Sequence, residues 1–173
     1  VGLGTIVINA SAGFVFDTGG TPPTVLVAKL SGSQNKPVEG SITSVTATQI
    51  TYTVTKMSVN QSKLTWQNIR VRPTAGTPLT SGNLRMSGTA SVVGLSSNAN
   101  LGTLREVAGA ASSLAILTQP SATATAGVPF AQQPVLHVRD QFGNLRSIAN
   151  GVTNSTVVTA ARANGSGTLQ GTL

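Results

Sequence analysis

Apolar and polar residues alternate with a period of two along much of the chain, which is typical of strands with one buried face. The clearest case is QITYTVTKM (Gln49–Met57), where Ile50, Tyr52 and Val54 share one face and threonines occupy the other. Further strands are predicted at Gly4–Asn9, Thr24–Leu30 and Gly82–Val93. Since no segment repeats apolar residues at the three-to-four spacing of a helix, we predict an all-β fold.

The alternation slips once, within the segment KLTWQNIRVRP. The first apolar pair of this segment, Leu64 and Trp66, falls on one parity. The second pair, Ile69 and Val71, falls on the other. If both pairs are buried, one extra residue must sit near Gln67–Asn68, which predicts a β-bulge there.

The composition fits short strands joined by turns. The chain has 173 residues, of which 39% are hydrophobic, 9% are charged and 19 are glycine. This length allows one large or two small domains, each with a hydrophobic core. A run of small residues near Gly109–Ser113 indicates a junction, so we predict two domains, 1–110 and 111–173.

Charge and cysteine content narrow the function classes. The net charge of +7 comes from 11 basic and 4 acidic residues, and the basic residues are scattered along the chain. Because there is no run of Lys and Arg, we expect no dedicated binding of nucleic acid. The lack of cysteine excludes disulfides and cysteine-ligated metal. No segment approaches the length of a membrane span, so we expect no membrane insertion.

The second predicted domain contains a run of recognisable pieces, LAILTQPSATATAGVPFAQQPVLHVRDQFGNLRS. It indicates a strand, a proline-rich crossover, a second strand and a turn, with another strand predicted near Ser155–Ala163. The pieces TQPS, ATAGVPF and VRDQFGN resemble the opening strands of the bacterial immunoglobulin-like repeats of large secreted and surface proteins. GSGTLQGTL resembles the segment that follows the third strand. The resemblance covers about sixty residues of a domain type that runs to about ninety or a hundred.

The resemblance implies an immunoglobulin-like β-sandwich for residues 111–173. The first domain is similar, more loosely, to the β-sandwich modules that precede such repeats, through INASAGFVFDTG and LTWQNIRVRPTAGTPLTSGNL. We therefore expect two immunoglobulin-like β-sandwich domains in tandem, the second incomplete within this chain. The same resemblance implies an extracellular or cell-surface location.

Relative to a complete immunoglobulin-like sandwich, further chain is expected beyond both ends of the sequence. The sequence begins inside a predicted strand and stops where further strands are expected, and unpaired strand edges are costly. Either the polypeptide is longer than this sequence, or another copy supplies the missing strands by strand addition. The second alternative predicts self-association through residues near the two ends: Thr5, Ile6, Val7, Ile8, Thr168, Leu169 and Leu173.

The segment FVFDTGG matches the start of the catalytic loop of an aspartic protease. Such an enzyme needs two carboxylates that share one proton, and the chain holds one copy of the motif. Gly20 also stands where the protease pattern has Ser or Ala. A turn explains the same letters, with Asp17 accepting hydrogen bonds from backbone amides and Gly19 and Gly20 at positive φ. We predict no catalytic residue here and expect a chain that is not an enzyme.

The segment RDQFGN offers a second choice between a ligand site and a turn. Asp140 and Asn144 carry oxygens suited to calcium, but four acidic residues in the whole chain are few for such a site. We predict instead a turn shaped by Asp140, Gly143 and Asn144. His137 is the one histidine, which excludes a multi-histidine zinc site. No metal or cofactor is expected.

Three arginines and the one tryptophan are candidate ligand-binding residues. Arg70 and Arg72 share a strand face, Arg85 follows on the next predicted strand, and Trp66 is a stacking platform or a core anchor. The favoured function is a structural or interaction module of a bacterial extracellular surface protein, as filament subunit or adhesin stalk, assembled by strand complementation between subunits. The alternative is a module that binds surface glycans or anionic polymers through these four residues.

Overall fold

Strands dominate the fold. The computed structural model describes residues 1–29, 38–57, 61–161, 163, 164 and 166. Within them the single helical element is a three-residue 3-10 turn, Ile148–Asn150, which confirms the all-β prediction. The described residues contain no helix with the length and apolarity that a membrane crossing requires.

The described residues form eleven strands that pair in antiparallel ladders. The strands in chain order are β1 (Gly4–Asn9), β2 (Phe14–Phe16), β3 (Thr24–Lys29), β4 (Glu39–Val45), β5 (Gln49–Lys56), β6 (Ser62–Gln67), β7 (Val71–Pro73), β8 (Ser81–Ser87), β9 (Asn100–Arg105), β10 (Ser113–Thr118) and β11 (Val135–Arg139). They assemble as one five-stranded sheet, in the order β4-β5-β1-β8-β9, and three two-stranded ladders, β3–β6, β2–β7 and β10–β11.

Strand β1 is the centre of the five-stranded sheet. It pairs with β5 along its whole length and with β8 over Val7–Asn9, where Asn9 lies opposite Arg85. Alternation in β1 buries Ile6 and Ile8 and turns the residues between them to the outer face. The outer face of this sheet therefore carries mostly polar side chains.

The inner face of the sheet is covered by two of the ladders. Ile50, Tyr52 and Val54 of β5 are all buried, as their alternation predicts. One apolar cluster joins the sheet to β3–β6 and contains Ile6, Val38, Tyr52, Val54 and Met86, with Val25, Val27, Leu64 and Trp66 packed on it. A second joins it to β2–β7 and contains Ile8, Phe16 and Ile50, with Ile69 and Val71 packed on it.

The predicted β-bulge is wrong in its form but right in its position. The chain does not continue as one strand past Gln67; β6 ends there and β7 begins at Val71. Asn68 stands between them with φ of 58°, a left-handed conformation that Asn tolerates. The break lets β6 pair with β3 and β7 pair with β2, and apolar residues from both strands reach the core.

The described residues fall into two compact units. Unit 1 comprises residues 1–76 and 80–106, and unit 2 comprises residues 77–79 and those from 107 onward. The strand predicted near Ser155–Ala163 is wrong, because residues 155–161 run as irregular chain. Val157 of this segment is 86% exposed, so its apolar side chain has no layer to pack on.

Candidate functional site

The Asp17 corner is a turn closed by an arginine. Asp17 Oδ1 accepts a hydrogen bond from the Gly19 amide at 3.0 Å. The Asp17 amide donates to the Arg70 carbonyl at 2.9 Å, and Arg70 Nε lies 3.5 Å from Asp17 Oδ2. All four acidic side chains are described, and the other three have different partners: Glu39 with Lys56, Glu106 with the Thr80 amide, and Asp140 in unit 2. Asp17 therefore faces a guanidinium, not a second carboxylate.

Of the two glycines at this corner, only one adopts the predicted positive φ. Gly20 has φ of 69°, and a Cβ there would collide with the Arg70 guanidinium. Gly19 does not lie in the left-handed region, so the expectation for that residue is wrong. The Asp17 side chain already caps the Gly19 amide, and one left-handed residue then completes the turn.

The four candidate ligand-binding residues have different surroundings. Trp66 is half-buried in the core of unit 1, with its ring edge-to-face against Tyr52 at a centroid distance of 5.9 Å. Arg70 is paired with Asp17, and Arg72 is an exposed residue of β7. Arg85 lies on β8 in the five-stranded sheet, where its Nη1 donates to the Asn98 carbonyl at 3.0 Å. Trp66 therefore packs as a core anchor, the second of its two predicted roles.

Arg85 lines an open groove of about 600 Å³ on unit 1. Its lining combines the end of β1 and the turn after it with β8 and the loop before β9. The polar lining side chains are Asn9, Ser11, Ser81, Asn83, Arg85, Ser87, Ser97 and Asn98. Arg85 is the one ionisable group among them, so the groove carries a single positive charge in a wall of amides and hydroxyls.

Hydrogen bonds fix the floor of this groove. Asn9 Nδ2 donates to the Arg85 carbonyl at 3.0 Å and to Ser87 Oγ at 2.8 Å. Asn9 Oδ1 accepts from Gln49 Nε2 at 3.0 Å. The Asn9 side chain is therefore held at both ends, in a ladder that crosses three neighbouring strands.

The rim of the groove is shaped by backbone conformation. Asn98 has φ of 71°, and its amide donates to the Met86 carbonyl at 2.8 Å. This left-handed residue turns the loop so that its carbonyl receives Arg85. Sequence reasoning found Arg85 but missed Asn9, Asn83 and Asn98. Alternation alone assigns Asn9 and Asn83 to outer faces, whereas the register between β1 and β8 sets Asn9 opposite Arg85, two residues from Asn83.

In unit 2 the turn after β11 is built around a buried carboxylate. Asp140 is 2% exposed. Its Oδ1 accepts from the amides of Phe142 and Asn144, and its Oδ2 accepts from the Gly109 amide and Asn144 Nδ2, all at 2.9 Å. Gly143 has φ of 86°. Asp140, Gly143 and Asn144 thus take the conformations and contacts of an Asx-type turn.

These contacts set the charge state of Asp140. Burial by itself would raise the pKa of the carboxyl, because it disfavours the charged form. The hydrogen bonds outweigh burial and lower the pKa from 3.8 to about 2; the donors are the Asn144 side chain and the amides of Gly109, Asn144 and Phe142. Asp140 is therefore a charged structural acceptor at neutral pH.

The predicted assembly residues near the start of the chain lie in the interior of a sheet. Thr5, Ile6, Val7 and Ile8 belong to β1, which has β5 on one side and β8 on the other. The Thr5 carbonyl also accepts from the Ala90 amide beyond the β8 ladder. Both sides of β1 are thus paired within the chain, and self-association through these residues stays a prediction. The other three residues, Thr168, Leu169 and Leu173, lie outside the described residues.

The β10–β11 ladder carries exposed aliphatic side chains. The register sets Ile116 opposite Leu136 and Leu114 opposite Val138, so these four share one face. Leu114, Ile116 and Leu136 are 53%, 54% and 43% exposed. We call these three exposed residues the β10–β11 face; Val138, on the same side of the ladder, is buried. The outer edge of β10 pairs with no strand among the described residues.

The described residues contain no cluster of three or more His, Cys, Asp or Glu that could hold a metal ion. No protein-family model, curated protein or solved structure matches the chain. Two surfaces of the described residues are open to a ligand or partner: the groove on unit 1, and the β10–β11 face with the unpaired outer edge of β10 on unit 2.

Proposed function

We propose that the chain is a structural and interaction module of a bacterial extracellular surface protein, as filament subunit or adhesin stalk. In this proposal residues 1–110 and 111–173 are two immunoglobulin-like β-sandwich domains in tandem. Copies associate when a strand of one chain adds to the free edge of β10 in another. The single observation that carries the proposal is the two-stranded β10–β11 ladder with an exposed aliphatic face.

The β10–β11 ladder has two strands, of six and five residues. A two-stranded sheet is marginal in water unless another layer covers its apolar face. Three large aliphatic side chains of the β10–β11 face stand about half exposed. Covering them would add the hydrophobic stabilisation that unit 2 obtains from few residues of its own. An association that covers this face is therefore favourable.

The unpaired outer edge of β10 favours association by strand addition. β10 has six residues, Ser113–Thr118, and a ladder on one side only. An added strand would satisfy the backbone groups on the other side. In this proposal the chain that supplies the strand also packs on the aliphatic face and covers it. Another copy of the chain is the occupant we propose, since its β strands carry matching alternation. A head-to-tail contact of this kind propagates into a fibre.

The outer surface of unit 1 suits a subunit of an extracellular filament or stalk. Hydroxyl side chains pair across strands there, as between Thr43 and Thr53 at 2.8 Å and between Thr5 and Thr89 at 3.4 Å. These contacts coat the sheet with neutral polar groups that are well hydrated. Such a coat supports solubility while the β10–β11 face supplies the contact between copies.

The glycan-binding alternative, through four residues acting together, gains little support from the geometry. Trp66 packs on Tyr52, and Arg70 is engaged by Asp17. Of the four candidates, Arg85 is the one that lines the groove.

Concentration-dependent mass, measured by analytical ultracentrifugation on the full chain, tests the proposal. We expect the wild type to grow in mass with concentration and to give fibres in electron micrographs. Ile116→Lys places a charge in the β10–β11 face at a half-exposed site, so it should fold and remain monomeric. Val157→Lys is the matched control, because Val157 is an exposed aliphatic residue of unit 2 outside that face, and it should assemble like the wild type. A wild type that stays monomeric at every concentration contradicts the proposal.

A further inference from the structure

We propose that the groove beside Arg85 binds a saccharide that carries a carboxylate, a hexuronate unit. This site lies on unit 1 and is independent of the association proposed for unit 2. Arg85 is the one ionisable group in the lining, and no carboxylate lies in the groove to neutralise it. A ligand with one negative charge therefore complements the groove.

The guanidinium of Arg85 is held in place but not saturated. Nη1 donates to the Asn98 carbonyl at 3.0 Å, while Nε and Nη2 have no partner in the described part of the chain. Arginine presents five donors in a planar fork, and two parallel donors match the two oxygens of a carboxylate. The Asn98 contact thus orients the side chain and leaves donors for an anionic group.

The neutral groups beside Arg85 also present donors. Asn83 Oδ1 accepts from Thr103 Oγ1 at 2.8 Å, which leaves its Nδ2 hydrogens available. Ser87 Oγ accepts from Asn9 Nδ2, so its own hydrogen remains to donate. Amide and hydroxyl donors next to one cation suit a ligand with several oxygen acceptors and one carboxylate. Hydroxyl and ring oxygens of a sugar acid fit this description.

The site is ordered before a ligand arrives. Three hydrogen bonds hold Asn9, and the Asn98 rim is part of the backbone ladder to Met86. Binding would therefore order few side chains, which reduces its entropic cost. At about 600 Å³ the groove has room for more than a simple ion and lies in the usual range of small-molecule sites.

Other ligand classes match the lining poorly. Divalent cations require several carboxylate or carbonyl oxygens, and the groove has no carboxylate. The groove wall exposes more apolar than polar surface, but a wholly apolar ligand would leave the Arg85 guanidinium and the amide donors of the wall without acceptors. The donor-rich wall thus favours a polyhydroxylated anion.

The test is a titration of the full chain with sodium glucuronate, followed by amide chemical shifts in ¹⁵N-labelled protein. Glucose and acetate are titrated in parallel, because glucose supplies the sugar oxygens without a carboxylate and acetate supplies the carboxylate alone. We expect saturable shifts at Asn83, Arg85 and Asn98 with glucuronate, and affinities for glucose and acetate that are lower by about tenfold or more. Arg85→Gln should weaken glucuronate binding by about tenfold or more.

The control variant is Lys63→Gln, which removes one positive charge from an exposed position of β6 outside the groove. It should bind glucuronate like the wild type. The proposal is overturned if glucuronate gives no saturable shift, or if glucose or acetate binds as tightly as glucuronate. It is also overturned if Lys63→Gln weakens glucuronate binding as much as Arg85→Gln does. Because monomeric protein suffices for this titration, its failure leaves the self-association experiment unaffected.

Discussion

Units 1 and 2 both consist of antiparallel strands, but they bury very different interiors. Of the eleven buried hydrophobic side chains in the described residues, nine belong to unit 1. Unit 2 contributes Ala108 and Val138. In unit 1 two ladders cover the inner face of the five-stranded sheet, whereas the β10–β11 face has no such layer in the described part of unit 2.

Unit 2 is held instead by polar contacts around one carboxylate. Asp140 accepts from Gly109, Phe142 and Asn144, and the Gly109 carbonyl accepts from Arg146 Nη1. Alternation therefore yields a self-sufficient fold only when a second layer covers the apolar face. Unit 1 has that layer within the chain, and we propose that unit 2 gains it from a partner.

The largest effect is expected from the core of unit 1. Ile50 is 1% exposed and lies in the second apolar cluster, so Ile50→Ala should lower the free energy of unfolding by about 2–5 kcal/mol. Urea unfolding followed by Trp66 fluorescence reports on this unit. The matched change Ile148→Ala, at an 83% exposed residue of unit 2, should shift the stability of unit 2 by no more than about 0.5 kcal/mol. Amide hydrogen exchange measures that shift, because Trp66 lies in unit 1. Equal effects at the two sites would contradict the contrast between the units.

The next largest effect is a loss of stability at acidic pH, and it should be confined to unit 2. The pKa of Asp140 is about 2 in the folded chain against an ordinary 3.8, so its carboxylate stabilises the fold above the ordinary pKa. That contribution shrinks as pH falls from about 4 towards about 2. Protection factors of the Gly109 and Phe142 amides should fall over this range.

The Asp140→Asn variant serves as the control for this titration. It keeps one acceptor oxygen, and the amide nitrogen in place of the other oxygen cannot accept, so protection should be lower than in the wild type at every pH. Because asparagine has no proton to gain, protection of the Gly109 amide should vary little between pH 4 and pH 2. If wild type and variant show the same dependence on pH, another group controls the acid stability of unit 2.

The smallest effect is a gain of stability in unit 1. The Tyr52 hydroxyl is buried and has no hydrogen-bond partner among the described residues, and burial raises the pKa of this phenol. Tyr52→Phe removes the unpaired group and keeps the ring contact with Trp66, so unfolding free energy should rise by about 1 kcal/mol. If Tyr52→Phe instead lowers the free energy of unfolding in urea by a similar amount, the hydroxyl has a hydrogen-bond partner.

Local alternation predicted much of unit 1, because each strand has one buried face. The predicted bounds of β1 and the buried positions of β5 agree with the structure. The break at Asn68 followed from the parity change between Trp66 and Ile69. Its form did not, because parity cannot distinguish a bulge from a switch between two ladders.

The features that needed pairing information could not be predicted. The groove depends on the register that sets Asn9 opposite Arg85, and nothing local specifies that register. The central place of β1 likewise depends on β5 and β8, which lie far along the sequence. The strand expected near Ser155–Ala163 failed for the same reason. Its apolar pattern is local, but without a packing partner such a pattern does not produce a strand.

Hydrogen exchange of the full chain at low and high protein concentration tests the contrast between the units most directly. We expect amides of Leu114–Leu117 in β10 to gain protection as concentration rises. Amides of Ile50–Val54 in β5 should be strongly protected at every concentration. If β10 at low concentration is already as protected as β5, or if its protection does not change with concentration, unit 2 needs no partner and the account is wrong.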